Sequence, residues 1–136
     1  MKPATTGGAV VAAYKQPKTF EAWMAFGAAY ERHEKPEKAF EAYSAAIELD
    51  SGSSEAWSGK AQALFDLDRT TEAEQAFRKA LGIAGRFADA QIGLAEVLKK
   101  EGKKAEAIKT YQKFIDDHPD DENVAAARNS IKSLSE

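Results

Sequence analysis

The sequence repeats itself every 34 residues, and a period of that length confines the chain to a stack of like two-element units. Trp23 and Trp57 stand one period apart, each preceded by alanine (Ala22, Ala56), and the next step reaches Gln91 after Ala90. The same step joins Gly27, Ala61 and Ala95, then Tyr30, Leu64 and Leu98. It also joins Ala39, Ala73 and Ala107, then Tyr43, Phe77 and Tyr111, then Ile47, Leu81 and Ile115. All of these columns run without a gap.

The order within a unit specifies its form. The first half places an aromatic, a small residue four later and a large apolar residue three after that, which is one face of a helix. A break follows at His33-Glu34-Lys35-Pro36, Asp66-Leu67-Asp68-Arg69 or Glu101-Gly102-Lys103-Lys104. The second half reads small, aromatic, aliphatic at i, i+4 and i+8, again one stripe. The spacing predicts an all-α chain of three antiparallel helix pairs, 19–33 with 36–49, 54–67 with 70–84, and 88–101 with 104–117. Pro36 suits a first helical turn, where its missing N–H is not needed. Thr70 or Thr71 is expected to cap its helix. Gly27, Ala61, Ala95, Ala39, Ala73 and Ala107 remove bulk where paired helices must approach, towards the low end of about 8–10 Å between axes.

This pattern resembles the tetratricopeptide repeat. The first unit carries the resemblance in Ala22-Trp23, Phe26-Gly27, Tyr30, Ala39, Tyr43 and Ala46. Ala56-Trp57, Ala61, Leu64, Ala73, Phe77 and Ala80 carry it in the second. Leu94-Ala95, Leu98, Gly102, Ala107-Ile108, Tyr111 and Pro119 carry it in the third. The resemblance implies an α-solenoid, a right-handed superhelix of repeats at about 20–53, 54–87 and 88–121 in a single domain, 19–136. Departures are Lys60 in place of leucine, Gln91 in place of an aromatic, Phe114 in place of alanine, and Ser51 and Gly85 in place of the closing proline. Phe114 is expected to fill space against a last helix, 122–135, whose stripe is Val124, Ala127, Ile131 and Leu134. Asp120-Asp121-Glu122 suit its N-terminus, and Arg128, Lys132 and Ser133 give it the polar outer side that a capping helix needs.

The family implies a concave groove lined by the first helices, and so a protein–protein interaction module, an adaptor or scaffold. Its groove residues would be Glu21, Met24, Ala28 and Glu31, then Glu55, Ser58, Gly59, Gln62 and Phe65, then Asp89, Ile92, Gly93, Glu96 and Lys99. Glu21, Glu55 and Asp89 form an acidic ladder, Met24, Phe65 and Ile92 are apolar residues not needed for the repeat's own packing, and Gly59 and Gly93 leave floor space for a ligand. A partner segment that is apolar on one side with Lys or Arg beside it would suit this groove. The alternative is a solvated acidic face with apolar residues touching neighbouring helices. Chaperone-binding members grip a C-terminal carboxylate with lysine, asparagine and arginine; the corresponding places here hold Met24, Ala28, Gly59, Asp89 and Gly93. That speaks against chaperone tails as ligands.

Catalysis finds no support. His33 and His118 fall at helix ends far apart, no His pair at i, i+4 suggests zinc, and no glycine-rich loop suggests a nucleotide. Asp116-Asp117 and Asp120-Asp121-Glu122 lack the loop glycine of a calcium site, so no metal or cofactor is expected. Without cysteine there is no disulfide or thiolate chemistry. A net charge of -3 gives no broad attraction to nucleic acid. Lys99, Lys100, Lys103 and Lys104 read as solvated surface diluted by Glu96, Glu101 and Glu106. No apolar run is long enough to span a membrane. Residues 1–18 read as a flexible leader whose apolar stretch is too short for a signal peptide, which leans the compartment towards the cytoplasm without fixing it. Self-association through the stretch from Val10 to Tyr14 of that leader or through an exposed repeat edge, and a regulatory domain of a larger protein, stand as alternative functions.

Overall fold

The computed structural model describes residues 19–136, so the expectations for the leader lie outside the described residues. Among the described residues seven helices follow one another: α1 (Phe20–Arg32), α2 (Pro36–Leu49), α3 (Ser54–Asp66), α4 (Thr70–Ile83), α5 (Ala88–Lys100), α6 (Lys104–Asp117) and α7 (Val124–Leu134). There is no strand among the described residues, and no helix there is long and apolar enough to cross a membrane. Three hairpins and a last helix therefore stand where the period places them.

Each hairpin closes through one recurrent turn. The N–H groups of Lys35, Arg69 and Lys103 donate to the carbonyls of Tyr30, Leu64 and Leu98 at 2.9, 2.8 and 2.9 Å. These six-to-one bonds satisfy carbonyls that a helix end leaves unpaired. The residue before each has positive φ: Glu34 at 56°, Asp68 at 63° and Gly102 at 78°. Because the same turn makes Arg69 the N-cap of α4, Thr70 and Thr71 fall inside the helix and neither caps it. Side-chain caps occur instead at the entry to α1 and α3, where Thr19 and Ser53 accept from the N–H groups of Ala22 and Ala56 at 3.0 and 3.1 Å.

The small-residue columns are buried, and Leu64, Phe77, Leu98, Tyr111 and Phe114 fill the space between the helices they bring together. Phe114 joins the same buried cluster as Val124 and Ala127 of α7, so its bulk occupies the room that a smaller residue would leave beneath the capping helix. The acids before α7 do not enter its first turn, contrary to expectation. They build the preceding turn, in which Asp121 Oδ1 accepts from the N–H of Asn123 at 2.8 Å. At the other end of the stack α1 buries only Gly27, since no preceding unit covers it among the described residues.

Polar bonds tie the second unit to the third and also run within the third. Lys100 meets Asp68 at 2.6 Å, Lys103 meets Glu74 at 3.0 Å and Lys99 meets Glu96 at 3.4 Å, so much of the lysine run is paired instead of simply solvated. Gln91, 1% exposed, takes the place of the earlier tryptophans and donates to Asp117 Oδ2 at 2.7 Å and to the carbonyl of Gly85 at 3.3 Å. Hydrogen bonds from Lys113 and then Gln91 hold the Asp117 carboxyl below its usual range. Helix α1 touches α3 and α3 touches α5, whereas the second helices of neighbouring units show no comparable contact. The stack bends accordingly, with the first helices on the inside.

Candidate functional site

A groove of about 810 Å³ runs along that inner wall. Helix α1 contributes Met24, Ala28 and Glu31, and α3 contributes Glu55, Ser58, Gly59, Gln62 and Phe65. Helix α5 adds Asp89, Ile92, Gly93 and Glu96. Two expected residues are elsewhere: neither Glu21 nor Lys99 lines the groove, and the Lys99 ammonium lies 3.4 Å from Glu96. Ala25, Tyr43, Phe87 and Asn123 also line it and were not expected. Asn123 follows Asp89 by one more period, so the 34-residue column already pointed to it. Tyr43 could not be found that way, because it reaches the wall from the second helix of its hairpin.

Tyr43 also overturns the expected use of the glycines. A Cβ on Gly59 would lie 2.5 Å from the Tyr43 ring, and one on Gly93 would collide with the Phe77 ring. Both glycines are floor that the protein's own aromatics occupy, and their lack of a side chain lets the preceding α2 or α4 ring come close. Ser58 is likewise buried, at 7% exposure, and presents little to the groove. Phe65 and Ile92 pack against the main core and Met24 against a smaller cluster, so all three serve the fold with one side and line the groove with the other.

The acids divide into two kinds. Glu31 Oε1 accepts from the Tyr43 hydroxyl at 2.8 Å, and Glu96 accepts from the Tyr111 hydroxyl. Burial first, and then these carboxylates, push both phenols above their ordinary value. Glu31 and Glu96 are thus anchored by the rings that build the wall. Glu55 and Asp89 are exposed, and neither has an ion-pair partner among the described residues. Gln62 donates to Asp66 at 3.0 Å, and the Lys100 ammonium lies 5.2 Å from the Phe65 ring centroid, at one edge of the groove. The wall therefore offers two free carboxylates one period apart with apolar surface between them. Such a wall can bind; no group of three or more His, Asp and Glu side chains among the described residues could hold a metal ion.

Comparison with known proteins bears on this architecture. A family model described as tetratricopeptide repeat matches residues 64–131, half of the chain, and a second of the same description matches residues 20–63. No curated protein matches in sequence. Among solved structures, that of MamA is similar with a TM-score of 0.82 at 28% identity, covering 93% of this chain and 71% of that one. The first such domain of Spaghetti (RPAP3), bound to the HSP90 peptide SRMEEVD, is similar with a TM-score of 0.80 at 20% identity, covering 86% of this chain and 93% of that one. The TPR2B domain of yeast Sti1 in its pHsp70 complex gives 0.81 at 20% identity, with 85% and 95% covered. Three hairpins of one period, closed by the same turn and bent around their first helices, together with these matches, show that the chain belongs to the tetratricopeptide repeat family.

Proposed function

We propose that this chain is a protein-binding module whose groove takes a partner segment carrying apolar side chains flanked by lysine or arginine. The observation that carries the reading is the pair Glu55 and Asp89, exposed carboxylates beside Met24, Phe65 and Ile92 in a groove of about 810 Å³. Charges of one sign at a concave wall attract and orient a partner of the other sign, and the partly buried apolar surface supplies affinity once water is displaced. Binding of peptides by similar structures, HSP90 and pHsp70 segments among them, supports the general role. Those same similarities give no support to excluding chaperone tails. That exclusion rests on the groove's own charge, because Asp89 would face an incoming carboxylate.

A direct test uses a capped peptide of alternating leucine and lysine and its glutamate counterpart, titrated against the full chain. The lysine peptide should bind more tightly, and Glu55→Lys with Asp89→Lys should weaken it about tenfold or more, since reversing two exposed charges turns each attraction into a repulsion. Equal affinity for the two peptides, or no loss in the double variant, would remove the acidic wall from the function.

A further inference from the structure

The groove leaves one departure from the repeat pattern unexplained: Lys60. On α3, Trp57, Lys60 and Leu64 share the face opposite the one that carries Glu55, Ser58 and Gln62, as spacing by three and four residues requires. There they form a second cavity of about 350 Å³ with residues of α4. Its floor is apolar, because Leu64 and Ala76 are buried, and Trp57 makes one wall. Two ammonium groups stand over that indole, Lys60 at 5.3 Å and Lys79 at 5.7 Å from the ring centroid. Lys60 also lies 5.5 Å from the Phe40 ring. Glu72, the carboxylate at the rim, is held by Arg69 through two bonds of 2.8 Å each. Arg69, which takes no part in the cavity, is thus its direct partner, Lys60 acts on it only through space, and neither Lys60 nor Lys79 has an ion-pair partner among the described residues.

We infer that this outer cavity is a second binding site, for a protein segment that presents an apolar or aromatic side chain next to carboxylates. The volume admits one large side chain, within the range of ordinary binding pockets. The apolar floor and the indole would cover that side chain, while the lysines, already partly stripped of water against aromatic faces, would receive the carboxylates. Packing alone does not call for a cation at this place: one period away in either direction stand Phe26 and Leu94. The inner and outer faces of α3 would then select segments of opposite charge. This inference rests on its own residues and stands apart from the groove reading.

Only two tryptophans are present, so a Trp23→Phe background makes Trp57 the sole indole reporter in the full chain. The probes are capped pentapeptides, Gly-Glu-Phe-Glu-Gly and its lysine counterpart Gly-Lys-Phe-Lys-Gly. The glutamate peptide should give a saturable fluorescence change that about 0.5 M salt weakens. Lys60→Leu, which installs the residue of the third unit and should leave the circular dichroism unchanged, should weaken it about fivefold, as should Lys79→Ala. Affinity for the leucine-lysine groove peptide should be the same in Lys60→Leu, which separates this site from the groove. Equal binding of the two pentapeptides, unaltered affinity in Lys60→Leu, no saturable change, or tighter binding of an oligouridylate than of the glutamate peptide would each overturn the proposal.

Discussion

Glu34, Asp68 and Gly102 occupy one column and one backbone conformation, with φ between 56° and 78°. An L side chain in the left-handed region costs about 1–2 kcal/mol relative to glycine, and the six-to-one bond that follows compels the conformation in all three turns. Glu34→Gly should therefore stabilise the protein, by about 0.5–1 kcal/mol after the greater freedom of glycine in the unfolded chain is subtracted. A urea midpoint that does not rise would contradict this. Asp68→Gly should gain less, since it also breaks the contact with Lys100. The opposite outcome holds at Gly59, where an added Cβ would lie 2.5 Å from the Tyr43 ring. Gly59→Ala should cost about 1–3 kcal/mol by overpacking, and Tyr43→Leu in the same chain should recover part of it. Equilibrium unfolding of the two single variants and the double variant decides the matter. These glycines show how far residue type could be read from sequence. Absence of a side chain was plain, but whether a ligand or the protein's own ring fills the space depends on the neighbouring hairpin.

At the scale of elements, the turns within the hairpins carry more than their lengths suggest. Glu101 is the C-cap of α5, and its carboxyl stands beside Glu74 of α4 in a cluster that also holds Arg78 and Lys103, the Lys103 ammonium lying 3.5 Å from Glu101 Oε1. Burial raises the Glu74 carboxyl, but hydrogen bonds from Glu101, Arg78 and Lys103 outweigh it and bring the group down to about 2. Burial and the Glu74 neighbour raise Glu101. The signs are opposite. Glu74 contributes stability that is present above its unfolded value near 4.5 and lost as pH falls towards about 2. Glu101 contributes stability that is present below its unfolded value and lost as pH climbs through its raised one. Glu101→Gln keeps a donor and removes the competing charge, so it should raise stability at pH 7 by about 0.5–1 kcal/mol and do little at pH 4. Equal shifts in thermal midpoint at the two pH values would refute the pairing. Helix α7 works by coverage: Val124 and Ala127 close over the cluster that contains Tyr111 and Phe114. Deleting residues 123–136 should lower the unfolding midpoint sharply and expose apolar surface that binds a hydrophobic dye, whereas loss of dye binding on deletion would deny the capping role. The element boundaries were legible because period and stripe repeat; the helix caps were not. Thr70 and Thr71 have the right side chains for an N-cap, yet the turn from α3 brings Arg69 to that place first.

Across the whole molecule, the sequence by itself determined the number of units, their two-helix form and the columns that pack, while the side of each first helix turned inward was implied by the family resemblance. The first three follow from spacing along the chain, because helical geometry converts three- and four-residue intervals directly into faces. Asn123 stands one period after Asp89, but only the structure shows that this position lines the groove. Tertiary structure alone decided which inner residues remain free. Glu31 and Glu96 are engaged by tyrosines from second helices, Gly59 and Gly93 are covered by rings from a neighbouring hairpin, and Glu55 and Asp89 keep their charge towards solvent. It likewise turned Gln91 from an anomaly into a bond with Asp117, a residue 26 positions away. The physical reason is the same in each case: periodicity encodes direction within a helix, whereas occupancy of a space depends on side chains that arrive from another helix after stacking.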